Sequence, residues 1–184
     1  MLANDHQWML YGGMPKDTSE FELPEKDETW KYEKYQYGVE KEAFSPGFVR
    51  ETLPESVSNY IAYGGAASAP SENKAWYFSG LVSPSGGEIF EPSVDDPDRT
   101  AVNVSRTLIT LDMKTQQEET WTNTTLGRDI PGRANPELVW VPVGEQGILV
   151  ALGGVVEPDF VDILGEFVDL EKNVSILSSS IARW

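Results

Sequence analysis

Three ten-residue stretches of the chain share one pattern of polar and apolar positions. They are NDHQWMLYGG at 4–13, SENKAWYFSG at 71–80 and EQGILVALGG at 145–154, and they align without a gap. The second and third begin with turn residues and continue as an uninterrupted apolar run of strand length, which is typical of strands covered on both faces. Each stretch ends at glycine, which predicts that the chain leaves the sheet there beside a close neighbouring backbone.

Further strands fill the intervals between these units, which end at residues 13, 80 and 154. A strand is predicted before the second and third units, and each forms an antiparallel hairpin with the unit after it. After the first two units, a strand ending in an acidic residue is predicted, and then a fourth strand with an aromatic centre. The hairpin strands are 58–70 and 135–143; the later strands are 29–34 with Glu33, 107–113 with Asp112, 118–123 around Trp121 and, as a looser match, 39–44 around Phe44.

This order of elements resembles the kelch repeat, which is one four-stranded blade of a β-propeller. The order is a strand, a glycine pair, a strand ending in an acidic residue and a strand containing a tryptophan. The phrases YGGAASAPSENKAWYFSGL and GRANPELVWVPVGEQGILVALGG, with TLITLDM between them, are similar to fungal kelch-type proteins related to the central domain of galactose oxidase. Ser79 departs from the glycine pair. The positions that match the repeat are Gly12, Gly13, Gly80, Asp112, Trp121, Gly153 and Gly154.

The resemblance implies an all-β chain: a partial kelch-type β-propeller of roughly two and a half four-stranded blades over residues 1–156, followed by a divergent tail at 157–184. The first strand of the first blade is expected to be missing. In the tail, either 166–173 forms a third strand with Asp169 as its acid, or a short amphipathic helix forms. The apolar face of that helix would hold Phe160, Val161, Leu164, Phe167 and Val168.

The incomplete ring leaves two explanations open. The chain is a truncated gene product or a fragment, or partner copies complete the ring. Bare blade faces and unpaired strand edges favour self-association in either case.

Charge narrows the range of partners. The chain carries 30 acidic and 14 basic residues, a net charge of −16, which disfavours nucleic acid and direct contact with an anionic membrane. It has no cysteine, no apolar run long enough to span a membrane and no signal-peptide pattern. Three sequons, at Asn103, Asn123 and Asn173, are glycosylation candidates and favour a glycoprotein. For a full-length relative they favour an extracellular or cell-surface location.

The residues needed for the chemistry of related enzymes are not in this sequence. Galactose oxidase-like copper chemistry needs two histidines and a cysteine–tyrosine crosslink, and plant nitrile-specifier proteins use an acid/acid/His iron site. This chain has His6 as its single histidine, so no catalytic residue and no cofactor is predicted. Asp95, Asp96 and Asp98 are weak candidates for calcium, with a solvated acidic loop as the alternative.

The tryptophans have two possible roles, packing in the core or binding a sugar. Five tryptophans fall in predicted strands, where they are expected to pack between sheets, and a sugar-binding platform is the alternative. Trp76 and Trp121 are predicted to be buried in one core with Leu111 and Leu152. The five tryptophans are Trp8, Trp30, Trp76, Trp121 and Trp140.

The expected function is therefore a non-catalytic interaction module that presents blade loops to an unknown protein or glycan partner. The alternative is a fragment of a galactose oxidase-like or nitrile-specifier-like enzyme whose active residues lie outside this chain.

Overall fold

The fold of the described residues is all-β. Thirteen strands pair antiparallel throughout, and one short 3-10 turn joins two of them. Within this part of the chain, no helix has the length and apolar character needed to cross a membrane. The computed structural model describes residues 2–5, 7–14, 25–33, 48–83, 86–88, 103–114, 119–145, 147–156 and 174–178.

The first sheet has four strands in sequence order. The expectation that its first strand is missing is wrong, because two residues suffice to pair: Leu2 lies opposite Met9 and Ala3 opposite Trp8. The fourth strand runs later than the predicted 39–44, a segment that lies outside the described residues. The strands are β1 (Leu2–Ala3), β2 (Gln7–Leu10), β3 (Glu28–Glu33) and β4 (Phe48–Thr52).

The second sheet is also a four-stranded meander, interrupted by a small ribbon. The predicted pairing of the 58–70 region with the 74–80 region is confirmed, with Gly65 opposite Phe78 and Ala69 opposite Lys74. The 3-10 turn Pro70–Glu72 closes this hairpin. The sheet holds β5 (Gly65–Ala69), β6 (Lys74–Phe78), β9 (Thr107–Asp112) and β10 (Thr120–Thr125); the separate ribbon holds β7 (Leu81–Val82) and β8 (Asn103–Val104).

The third sheet has three strands: β11 (Glu137–Val141), β12 (Ile148–Leu152) and β13 (Val174–Ser178). The predicted hairpin is confirmed, with Glu137 opposite Leu152. β13 pairs antiparallel with β12, so the third sheet continues beyond residue 156. Both earlier alternatives for the tail, a strand at 166–173 and a helix over 160–168, lie outside the described residues.

Two apolar clusters join the three sheets, and β6 contributes to both. Ala75 and Tyr77 face the first sheet, whereas Trp76 and Phe78 face the third. Every one of these four side chains is buried. A strand between two sheets has no solvent face, which is why the apolar run at 75–78 has no polar alternation.

The predicted single core is wrong in two respects. Leu111 belongs to the cluster between the first and second sheets, and Trp76 to the cluster between the second and third. Leu152 is 39% exposed, because it lies on the face of β12 that points away from the second sheet. Trp76 is buried as predicted, while Trp121 is half-buried, packed against the first cluster at 5.2 Å from the ring of Tyr11.

The glycines that end β2, β6 and β12 occupy places without room for a side chain. A Cβ atom on Gly80 would lie 2.5 Å from the carbonyl oxygen of Ala62, and one on Gly154 would lie 2.8 Å from that of Ala134. At Gly12 the clash is with the carbonyl oxygen of Ile61, at 2.6 Å. All three have positive φ. The predicted close backbone approach is confirmed at the terminal glycines Gly80 and Gly154, whereas in the first unit it falls at Gly12, and a Cβ atom on the terminal Gly13 would have no neighbour within 4 Å.

A buried ion pair adds a polar link between the first two sheets. Lys31 of β3 is 4% exposed, and its Nζ lies 2.6 Å from Glu119 Oε1 and 3.2 Å from Glu51 Oε1. Lys31 donates a hydrogen bond to Glu51, and Glu119 is its second ion-pair partner. Two carboxylates around one ammonium group compensate for removing the charge from water.

Candidate interaction surface

Four connections between the strands of the three sheets leave from one end. In antiparallel meanders, alternate connections leave from opposite ends, so β2–β3, β4–β5, β6–β9 and β10–β11 all leave from the same end. We call this the loop end. The turns β5–β6, β9–β10 and β11–β12 lie at the opposite end, which we call the turn end.

The backbone at the loop end is held by a repeated set of hydrogen bonds. The N–H of Gly13 donates to Ile61 O at 2.7 Å, and the N–H of Gly80 donates to Arg133 O at 3.0 Å. Each acceptor lies four residues before the first strand of the next sheet. The same geometry therefore joins the first sheet to the second and the second to the third.

Ser79 and Arg133 strengthen the second of these junctions. The Ser79 hydroxyl donates to Ser105 O at 2.5 Å and accepts from the Arg133 N–H at 2.6 Å. The guanidinium of Arg133, 1% exposed, donates to Gly153 O at 2.9 Å. Burial lowers the pKa of Arg133, but an arginine starts so high that it stays charged at neutral pH. Arg133 is thus a structural cross-link in this position.

Two buried tyrosines support the segment that enters β5. Tyr11 donates to Ser58 O at 2.8 Å, and Tyr77 accepts from the Gly64 N–H at 2.8 Å. Their rings meet edge to face at 5.2 Å. Burial raises the pKa of Tyr77 to about 12 and also raises that of Tyr11, so both hydroxyls are protonated at neutral pH. The loop between these anchors is therefore held in place from beneath.

Tyr60 lies on this supported segment among acidic groups. Its hydroxyl donates to Glu88 at 3.3 Å. Partial burial raises the pKa of Tyr60, and the charges of Glu88, Glu25 and Asp27 raise it further. The surroundings of Tyr60 therefore have a negative potential and disfavour an anionic ligand.

Tyr63 is the most unusual residue at the loop end. Its side chain is 43% exposed and its φ is +56°, a left-handed conformation that is rare for a bulky residue. Asn135 occupies the corresponding place before β11, with φ of +52°, and its N–H donates to Tyr63 O at 2.7 Å. Asparagine tolerates this conformation far better than tyrosine does. The backbone requirement therefore does not account for an aromatic residue at 63.

Most of the sequence-predicted polar candidates have no described position. His6, Asp95, Asp96, Asp98 and Asn173 lie outside the described residues. In the part of the chain that is described, no three His, Cys, Asp or Glu side chains are grouped as a metal site would need.

Two of the glycosylation candidates have a described position. Asn103 begins β8 and is exposed. Asn123 is exposed on β10, but its side-chain nitrogen donates to Ser56 O at 2.7 Å. A glycan at Asn123 would need that hydrogen bond to rearrange.

The tryptophans divide between two environments. Trp121 and Trp140 pack between sheets, Trp140 stacking on buried Trp76 with ring centroids 4.8 Å apart. Trp8 and Trp30 lie on the other face of the first sheet, where Trp8 contacts Tyr32 at 4.8 Å and Arg50 lies 5.2 Å above Trp30. The strand locations predicted for all five are confirmed.

Sequence reasoning missed Arg133, the Ser79 hydroxyl and Tyr63. Aligning IAYGG at 61–65 with RANPE at 133–137 would have placed Tyr63 opposite asparagine, a residue typical of left-handed positions. Neither protein-family models nor curated proteins match this chain.

Proposed function

We propose that this chain forms part of a kelch-type β-propeller and acts as a non-catalytic interaction module, whose loop end contacts a protein or glycan partner. Successive antiparallel meanders, joined by equivalent hydrogen bonds at Gly13 and Gly80, support the propeller arrangement.

Tyr63 carries the functional part of the proposal. Backbone strain in an exposed aromatic residue points to a use outside the fold, since the fold itself would be served by asparagine. Exposed tyrosine is well suited to recognition, because it offers a large amphipathic surface with few rotatable bonds. The anchors at Tyr11 and Tyr77 pre-organise the segment and reduce the entropy lost on binding.

The test is a comparison of Tyr63→Asn with wild type on a glycan array and a protein array. Asparagine suits the left-handed backbone, so we expect the variant to be at least as stable as wild type. We expect its binding to the ligands found for wild type to fall by about tenfold or more, the scale of an interface hot spot.

The matched control is Val143→Asn, which removes an apolar side chain that is 50% exposed at the turn end. It should leave binding unchanged. Absence of any ligand on either array, or binding that survives Tyr63→Asn and is lost in Val143→Asn, would contradict the proposal.

A further inference from the structure

The two sheet faces that point away from the second sheet expose apolar side chains, beside a few charged ones such as Arg50 and Glu137. On the third sheet, Val139 and Leu152 are 37% and 39% exposed. On the first sheet, Leu10 is 43% exposed, on the same face as Trp8 and Trp30. We call these two surfaces the third-sheet outer face and the first-sheet outer face.

Two exposed apolar positions of the third-sheet outer face correspond to positions that are buried inside this molecule, although exposed Glu137 stands where the buried face has Gly65. The two hairpins have the same register: Gly65 lies opposite Phe78, and Glu137 lies opposite Leu152. Leu152 therefore corresponds to Phe78. By the same register, Val139 corresponds to Ala67. Phe78 is 0% and Ala67 8% exposed, because the third sheet covers them. At these two apolar positions, the third-sheet outer face therefore resembles a surface that another sheet of the same kind covers.

The first-sheet outer face corresponds instead to the faces that pack on a preceding sheet. In the alignment of the ten-residue units, Leu10 corresponds to Tyr77 and to Ala151. Tyr77 is 7% and Ala151 0% exposed, since each faces the preceding sheet. Leu10 therefore holds the position that would face a preceding sheet.

We propose that two copies of this chain associate head to tail, with the third-sheet outer face of each copy packed on the first-sheet outer face of the other. Within this molecule, the face of the second sheet that corresponds to the third-sheet outer face is covered by the third sheet. The first sheet of a second copy offers a face of the kind that does the covering, so we assign a second copy as the occupant. Two copies supply six sheets, within the range that closes a propeller, and a closed ring leaves no bare face. Ring closure rests on the proposed propeller, whereas the contact between the two faces does not.

Sedimentation analysis over a concentration series tests the proposal. We expect wild type to reach twice the 20.4 kDa mass of the chain. Leu152→Asp and Leu10→Asp each place a charge in the contact, so each should raise the dissociation constant by about tenfold or more. Val143→Asp, at the turn end, is the matched control and should dimerise like wild type. Circular dichroism of every variant shows whether it is folded.

Mixing the two single variants distinguishes head-to-tail contact from a face pairing with itself. A mixed pair places both substitutions in one contact and leaves the other contact wild type, so dimers should partly return. A monomeric wild type at all concentrations would mean that something other than a second copy covers these faces, and would overturn the proposal. A folded variant at either leucine that dimerises as well as wild type would also overturn it.

Discussion

At the scale of single residues, Ser79 explains how the second unit departs from the double glycine of the other two. Its φ of +56° is the conformation that glycine would adopt most easily, so serine adds backbone strain. The buried hydroxyl offsets that cost by joining two backbone groups, Ser105 O and the Arg133 N–H. Neither partner is near Ser79 in sequence, which is why the substitution had no visible reason in the sequence.

Two substitutions separate the strain from the hydrogen bonds. Ser79→Ala keeps the strain and leaves two buried backbone groups without their partner, so it should destabilise the chain by about 1–3 kcal/mol. Ser79→Gly loses the same bonds but relieves the strain, and should be less destabilising by about 1 kcal/mol. Urea unfolding of the three proteins gives both differences. Equal stability of Ser79→Ala and wild type would show that the hydroxyl contributes nothing to the junction.

At the scale of elements, β6 is the centre of the packing. Its side chains alternate between the two clusters, so Trp76 and Tyr77 stabilise different contacts although they are adjacent in sequence. The unbroken apolar pattern indicated burial on both faces, and the structure confirms it. That pattern has no information on which neighbour each face meets, so Trp76 and Leu111 were assigned to one core and lie in two.

Tryptophan substitutions should reveal this difference in burial. Trp76→Ala removes a ring that is 4% exposed and stacked on Trp140, so we expect a loss of about 3–5 kcal/mol in unfolding free energy. Trp121 is half-buried on an edge strand, and Trp121→Ala should cost less. Denaturant unfolding followed by far-ultraviolet circular dichroism compares the two. An equal or larger loss for Trp121→Ala would contradict the assignment of Trp76 to the tighter contact.

At the scale of the whole molecule, charge opposes the apolar faces. A net charge of −16 makes copies of the chain repel one another, while Leu10 and Leu152 favour their contact. Salt screens the repulsion, with a Debye length of about 10 Å at 0.1 M ionic strength, and leaves apolar burial largely intact. The balance between monomer and dimer should therefore depend on ionic strength.

We expect added sodium chloride to strengthen self-association. Light scattering across a salt series, with the Leu152→Asp variant alongside wild type, measures this effect. Wild type should gain mass as salt rises, and the variant should gain much less. Dissociation of wild-type dimers by salt would instead indicate a contact made by opposite charges, against the assignment to the outer faces.

The sequence by itself determined the two hairpins, the central strands of the first two sheets and the points where β2, β6 and β12 end. These features are local: an apolar run of strand length, turn residues between two runs and a glycine at the end of a run are all readable from neighbours in the chain.

Only the tertiary structure decided which side chains those strands bury. Leu152 and Phe78 occupy corresponding places in matching apolar runs, yet one is 39% exposed and the other is 0% exposed. Arg133 is buried because the backbone of Gly153 gives its guanidinium an acceptor, and Ser79 replaces glycine because Ser105 and Arg133 come within reach of its hydroxyl. Burial and hydrogen bonding depend on what lies across from a strand, and that is set by segments far away in sequence.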